Sequence, residues 1–300
     1  MTRHVVWSQW GGLKIPEEFK LLSPTSAPLD GDNLGEITFF VPPYMAGRES
    51  LRAILRMPKL QVVQLPYAGY ENVLEFARPG LTICNARGVH DASTAELAVG
   101  LTIASLRGFS TFMRNQMNSE WVSSLHKSLS DCRVGIVGFG SIGHMIQQNL
   151  SGFEVEIIPF SRSGSQGAKT LQELDAELPS LDVVILAMPL NDESRGLFDA
   201  RKLALMKDGA LIVNVSRGPV IITDALVAQL NSGRLFAALD VTDPEPLPKD
   251  HPLWKAPGLL ISPHVGGDST AFEPRFRKLL EEQLQRLKDG DPLKNIVFKK

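Results

Sequence analysis

The chain has 300 residues, with 31 Lys+Arg against 33 Asp+Glu, 43% hydrophobic and 21% charged residues. A formal charge of −2 gives no electrostatic hold on nucleic acid or on an anionic lipid surface, and no apolar run approaches the ~20 residues of a bilayer span. Two cysteines, Cys84 and Cys132, are too few for a disulfide framework or a structural zinc site; they read as small buried residues of a reducing compartment.

The opening dodecapeptide MTRHVVWSQWGG has no apolar core of signal-peptide length, so a cytoplasmic location is expected. Short apolar runs at 4–7, 36–41, 61–65 and 81–84 predict strands separated by Pro- and Gly-rich turns. A helix is predicted from Ser93, where Ser93 and Glu96 have the spacing of a capping box. The polar stretch 121–130 reads as a linker. Six Val/Ile/Leu-rich runs then follow at 133–138, 154–160, 182–188, 210–215, 236–241 and 258–262. Their continuous apolar character, with helical patterns between them, is that of a parallel sheet covered on both faces. After the first of these runs Ile142, Met145, Ile146 and Leu150 recur at helical spacing, with Gly152 as the expected cap. A last helix over 272–288 is polar on one side and is expected to pack back onto the N-terminal part. The expected fold class is α/β: a Rossmann-type doubly wound sheet at 96–269, inserted in a smaller flavodoxin-like substrate domain made of 1–95 and 270–300.

The sharpest motif is VGIVGFGSIG at 134–143, a G-x-G-x-x-G that follows a strand and opens a helix. Gly138 suits the tight turn, Gly140 the close approach of a pyrophosphate, and Gly143 the packing of helix on strand. The amides of Ser141 and Ile142 then point at phosphate, aided by the helix N-terminus. NAD-binding chains place an acid ~20 residues further on, at the end of the next strand. Here Ser161, Arg162 and Ser163 stand there instead. A guanidinium flanked by hydroxyls suits a 2′-phosphate, which points to NADP with NAD as the alternative.

Three more strand ends carry Arg217, Glu245 and His264. In an open α/β sheet ligands bind beyond the carboxyl ends of the strands, so a cation, an acid and an imidazole converge where a nicotinamide would lie. Hydride addition to a ketone creates an alkoxide, which needs a proton donor and a nearby cation. His264 can supply the proton, Glu245 can favour its charged form, and Arg217 can grip a carboxylate in bidentate fashion. Together they point to a 2-keto acid. The six histidines form no ligand-spaced cluster, so no metal is expected.

These stretches, with LAMPLNDESRGLF, MKDGALIVNVSRGPVI, ALDVTDPEPLP, HPLW and ISPHVGG, resemble the D-isomer-specific 2-hydroxyacid dehydrogenase family over nearly the full length. The resemblance implies Arg217, Glu245 and His264 as the catalytic set. It adds Pro189, Val215, Ser216, Asp240 and Gly266 to the cofactor contacts. It also implies that the backbone at Ala68 and Gly69 joins Arg217 and His264 in holding the substrate. Within the family the Ser-Arg-Ser loop is similar to that of NADPH-dependent glyoxylate and hydroxypyruvate reductases, and a homodimer is implied. The alternatives are an NAD-dependent 2-hydroxyacid or phosphoglycerate dehydrogenase and a dinucleotide-sensing, corepressor-like protein. Formate oxidation is disfavoured, because that branch lacks the glutamate partner of the histidine.

Overall fold

The computed structural model describes residues 4–32 and 34–299. The chain folds as two compact units, Met1–His90 with Thr270–Lys300, and Asp91–Ser269. The helix predicted from Ser93 begins at Asp91 and lies wholly in the second unit, so 91–95 leave the N-terminal part to which the sequence reading gave them. No capping box forms: the Ser93 hydroxyl pairs with that of Ser269 at 2.6 Å.

The first unit opens with strands β1 (Val5–Trp7), β2 (Lys20–Leu22), β3 (Phe39–Phe40), β4 (Val62–Gln64) and β5 (Thr82–Cys84). They pair in parallel in the order β2-β1-β3-β4-β5, the doubly wound order of flavodoxin-like folds. Alternation decides which side each residue serves. Trp7, Phe40, Val63 and Ile83 enter one apolar layer, while Val6, Phe39 and Val62 enter the other. Strand β2 lacks a strong apolar pattern, which is why the sequence reading missed it.

The second unit begins with helix α1 (Asp91–Leu106) and α2 (Phe109–Met117). The predicted linker follows without regular structure and leads to strand β6 (Arg133–Val137) and helix α3 (Ser141–Leu150). Helix α3 is capped at Ser151, before the glycine expected to cap it. Next come β7 (Glu156–Ser161), the two-residue β8 (Lys169–Thr170), α4 (Leu174–Glu177), β9 (Val183–Leu186) and α5 (Ala200–Leu205). The series ends with β10 (Leu211–Asn214), α6 (Thr223–Asn231), β11 (Phe236–Leu239) and β12 (Leu259–Ile261). All pairings are parallel, in the order β12-β11-β10-β9-β6-β7-β8. Counted within the unit this is 3-2-1-4-5-6 with one further strand, the order of a dinucleotide-binding sheet, whose crest falls between β6 and β9.

Both faces of that sheet are covered, which explains its unbroken apolar runs. Val183, Ile185, Leu211 and Val213 pack beneath α1 and α3, which bring Ala95, Ala98, Ile146 and Leu150. Val184, Leu186, Ile212 and Leu239 pack on the other face against Leu203, Leu226 and Leu230 from α5 and α6. The chain then returns to the first unit with α7 (Phe272–Asp289) and β13 (Ile296–Lys299). Phe276, Leu280 and Leu284 of α7 bury into the layer that holds Val6 and Phe39. Strand β13 pairs antiparallel with β5, and Gln283 ties it back by hydrogen bonds with Gln64 and Lys294.

At the amino edge of the central sheet, Asp182 binds three neighbours. Its carboxylate accepts from Lys127 Nζ at 2.8 Å, Lys207 Nζ at 2.7 Å and the Arg133 amide at 3.0 Å. Burial alone would raise its pKa, but these donors bring it down to about 2. Because the folded value is depressed, the stabilisation is present above the unfolded value and is lost as the pH falls through about 2. Asp182→Ala is expected to cost about 2–4 kcal/mol, read as a lower denaturation midpoint at neutral pH. The loss should shrink in acid and leave kcat unchanged at permissive temperature, because the residue lies at the edge opposite the cofactor-binding motif.

Candidate active site

The carboxyl edge of the second unit's sheet collects nearly all the residues singled out in the sequence. Between β6 and α3, Gly138 has φ +103, and a Cβ there would lie 2.5 Å from the Met188 amide nitrogen. A Cβ on Gly143 would meet the Gly138 carbonyl at 2.3 Å. The protein's own packing therefore dictates both glycines. Gly140 differs: beyond its chain neighbours, no protein atom lies within 4 Å of the place a Cβ would take. The space it keeps open is space for a ligand, as the pyrophosphate of a dinucleotide requires.

That space belongs to a cavity of about 710 Å³ lined by Gly138, Gly140, Ser141, Ser161, Arg162, Ser163 and Pro189. Ser161 closes β7, and its hydroxyl is buried with no hydrogen-bond partner, an unmet demand that a bound ribose or phosphate would satisfy. Ser163 pairs with Ser165 at 2.8 Å. The residues thus fit a dinucleotide on three counts: an open cradle at the second glycine, a helix N-terminus beside it, and an orphaned hydroxyl at the ribose end. The cavity has further walls that the motif did not announce, among them His144, Met188, Asn191 and Glu193. His144 follows Gly140 by one helical turn, a spacing that put it on the same side. The turn carrying Asn191 and Glu193 is held by Ser194, whose hydroxyl donates to the Pro189 carbonyl at 2.7 Å.

Ile142, Gly143, Val215, Ser216, Asp240 and Gly266 do not line this cavity. Val215 and Ser216 form the buried start of the loop after β10. There Asn214 accepts from the Ser216 amide and hydroxyl at 3.0 and 2.7 Å and donates to the Arg217 carbonyl at 3.0 Å. Gly218 follows, pressed against the Thr242 carbonyl so closely that no side chain fits. The loop after β10 is thereby fixed on the loop after β11, with Arg217 at its tip. One guanidinium nitrogen, Nη1, donates to the Ser216 carbonyl at 2.7 Å.

The loop after β12 carries His264 at φ +56, a left-handed conformation that non-glycine residues seldom adopt. It is held there by Asp240, a buried carboxylate that accepts from Ser262 Oγ at 2.6 Å and from the amides of Val265 and Gly266 at 2.9 Å each. The His264 amide donates to the Asp240 carbonyl at 2.7 Å. The imidazole Nδ1 meets Glu245 Oε1 at 2.5 Å. That bond raises the His264 pKa above the ordinary imidazole value, against burial and the Arg217 charge, which lower it. For Glu245, burial works upward, but His264 and Arg217 hold the carboxyl below its usual range. Both side chains remain partly open to solvent. The structure therefore brings Arg217, Glu245 and His264 together as an imidazole–carboxylate pair with a cation beside it.

Ala68 and Gly69 belong to the first unit, in the loop after β4. Asn85 Nδ2 donates to the Ala68 carbonyl at 2.6 Å, and the Ala86 amide to the Tyr67 carbonyl at 2.9 Å. His90 Nε2 lies 2.9 Å from the Pro66 carbonyl. The loop is thus anchored at three carbonyls.

Residues 99–266 match the family model of the D-isomer specific 2-hydroxyacid dehydrogenase NAD binding domain. The mitochondrial formate dehydrogenase of Hordeum vulgare is 30% identical over 276 residues, covering 87% of this chain and 73% of its own length. The glyoxylate reductase of Pyrococcus horikoshii is 31% identical over 253 residues, covering 78% of this chain and 75% of its own. The chain spans less than two thirds, 62%, of the formate dehydrogenase of Solanum tuberosum. A solved D-isomer specific 2-hydroxyacid dehydrogenase family protein from Aeromonas salmonicida superposes with a TM-score of 0.87 at 26% identity, covering 99% of both chains. Fold, motif and relatives agree: the chain belongs to the D-isomer specific 2-hydroxyacid dehydrogenases, oxidoreductases that work with a nicotinamide dinucleotide.

Proposed function

We propose that the protein reduces a small 2-keto acid of the glyoxylate or hydroxypyruvate type with NADPH, giving a D-2-hydroxy acid. The observation that carries this reading is the His264–Glu245 couple beside Arg217. Glu245 engages Nδ1, so Nε2 is left to face substrate, and the raised pKa favours the protonated ring. When bound, the dinucleotide supplies the hydride. His264 Nε2 then gives its proton to the developing alkoxide, and Arg217 holds the substrate carboxylate and steadies the oxygen's charge.

Formate dehydrogenases among the relatives make formate oxidation the competing activity. Converting formate to carbon dioxide moves a hydride and no oxygen-bound proton. An acid–base couple therefore has no task in that reaction, whereas a ketone cannot be reduced without one. The chain is expected to show no NAD-linked turnover of formate, and measurable formate oxidation at a rate matching glyoxylate reduction would overturn the assignment.

Reduction needs the protonated imidazole, so its rate is full below the raised pKa of His264 and falls as the pH rises through it. Glu245→Gln removes the carboxylate that sustains the charge. Its alkaline limb for kcat/KM should move toward acid, while His264→Ala should lose turnover about 10²–10⁴-fold with little change in cofactor affinity. A Glu245→Gln profile superposable on the wild type would refute the couple.

Preference for NADPH is supported by the Ser161 hydroxyl without a partner and by Arg162 at the end of β7, where an acid would otherwise grip a ribose. Arg162→Ala should raise KM for NADPH about 10–100-fold and leave KM for NADH nearly unchanged. Equal loss with both cofactors would show that Arg162 does not read the 2′-phosphate.

We also propose a homodimer. Helix α2 buries none of its side chains, and Phe109, Met113 and Met117 are exposed along it, followed by a fully exposed Trp121 and Leu125. Light scattering should give about twice 32.9 kDa, and Trp121→Glu with Leu125→Glu should give a monomer.

A further inference from the structure

His144 belongs to none of the motifs behind the cofactor reading, yet its side chain lines the cavity. It is the fourth residue of α3, one turn after Gly140. Its Nδ1 lies 2.8 Å from the Gly140 carbonyl oxygen, and its ring stacks on Phe139 with centroids 3.9 Å apart and planes inclined by 27°. A carbonyl oxygen only accepts, so Nδ1 must carry the hydrogen. The tautomer of the neutral ring is thereby set, and Nε2 is the one ring nitrogen left for a ligand. In that neutral form Nε2 bears a lone pair and repels an anionic oxygen. In the protonated form it bears N–H and binds one.

We propose that His144 is a proton-linked contact for a phosphate of the dinucleotide: binding the cofactor loads a proton onto Nε2, which then donates to a phosphate oxygen. The proposal rests on the cofactor reading above. The ionisable groups facing the same cavity are Arg162, from the end of β7, and Glu193, from the turn after β9. The neighbours of His144 on its own helix that line the cavity, and Phe139 beneath it, are uncharged. A bound phosphate anion adds negative charge and a hydrogen-bond acceptor to the cavity that His144 lines. Proton uptake and phosphate binding then favour one another, as any linked pair of equilibria must.

Two sources of phosphate exist in the cofactor, and two ligands separate them. ADP-ribose carries only the pyrophosphate, whereas NADP carries the 2′-phosphate as well. Calorimetric titration of the full chain with each, in buffers of different ionisation enthalpy, counts the protons taken up. The dissociation constant measured at pH 6 and pH 8 gives the slope. The wild type is expected to bind ADP-ribose about tenfold more tightly at pH 6 than at pH 8, with net proton uptake. His144→Gln should flatten that slope and abolish the uptake. His144→Phe, which keeps the ring stack and loses both nitrogens, should behave the same while melting like the wild type.

Loss of the slope with both ligands places the contact at the pyrophosphate. Loss with NADP alone places it at the 2′-phosphate. Unchanged slope and uptake in both variants, with binding intact, overturn the role of His144 and leave the cofactor reading standing. Failure of the wild-type chain to bind either ligand overturns both.

Discussion

One buried carboxylate holds the chemistry in place. Asp240 directly follows β11 and receives a hydroxyl and two amides from the loop after β12, while its own carbonyl receives the His264 amide. An ionised group with so little access to water is costly unless every lone pair is engaged, and here the donors come from a single turn. The cost of burying the charge and the strain of His264 at φ +56 are therefore borne together. If the carboxylate is removed, the turn has no reason to keep its left-handed residue, and the imidazole no longer meets Glu245. The proton donor is positioned by a carboxylate bonded to its loop rather than to its ring.

The remaining architecture serves that edge in the same manner, by backbone-directed bonds from buried polar side chains. Asn214 does for the Arg217 loop what Asp240 does for the His264 loop, with amide chemistry in place of charge. Asn85 does it for the loop bearing Ala68 in the first unit. Each anchor lies at or just beyond the end of an apolar strand whose packing fixes its position. Orientation is thus inherited from the sheet, and the loops need little rigidity of their own.

Much of this was legible in the sequence, and for identifiable reasons. Strands covered on both faces leave unbroken apolar runs, so β6, β9, β10 and β11 were readable; the three-residue β2 and the two-residue β8 are too short to leave such a run. The dinucleotide motif was readable because steric need singles out glycine at Gly138 and Gly143, a signal independent of the ligand. The start of α1 was misplaced because Ser93 satisfies a capping pattern while its hydroxyl is drawn to Ser269, a partner 176 residues away. Glu193 escaped because only the folded turn after β9 brings it to the cavity wall, whereas the one-turn spacing of His144 from Gly140 was a legible signal. Gly266 and Asp240, placed among the cofactor residues by resemblance, do not line the cavity, and the Gly266 amide donates to the Asp240 carboxylate.

The hydrogen bond between Ser93 and Ser269 has a topological meaning. These residues stand at the two ends of the second unit, just inside the points where the chain enters and leaves it. The dinucleotide-binding sheet is therefore a closed excursion of the backbone, beginning and finishing at one place. A module with adjoining ends can be cut out and rejoined, or given new termini elsewhere, at little entropic cost. That is the geometry by which a nucleotide-binding unit can be carried as a cassette inside a host that supplies a different function.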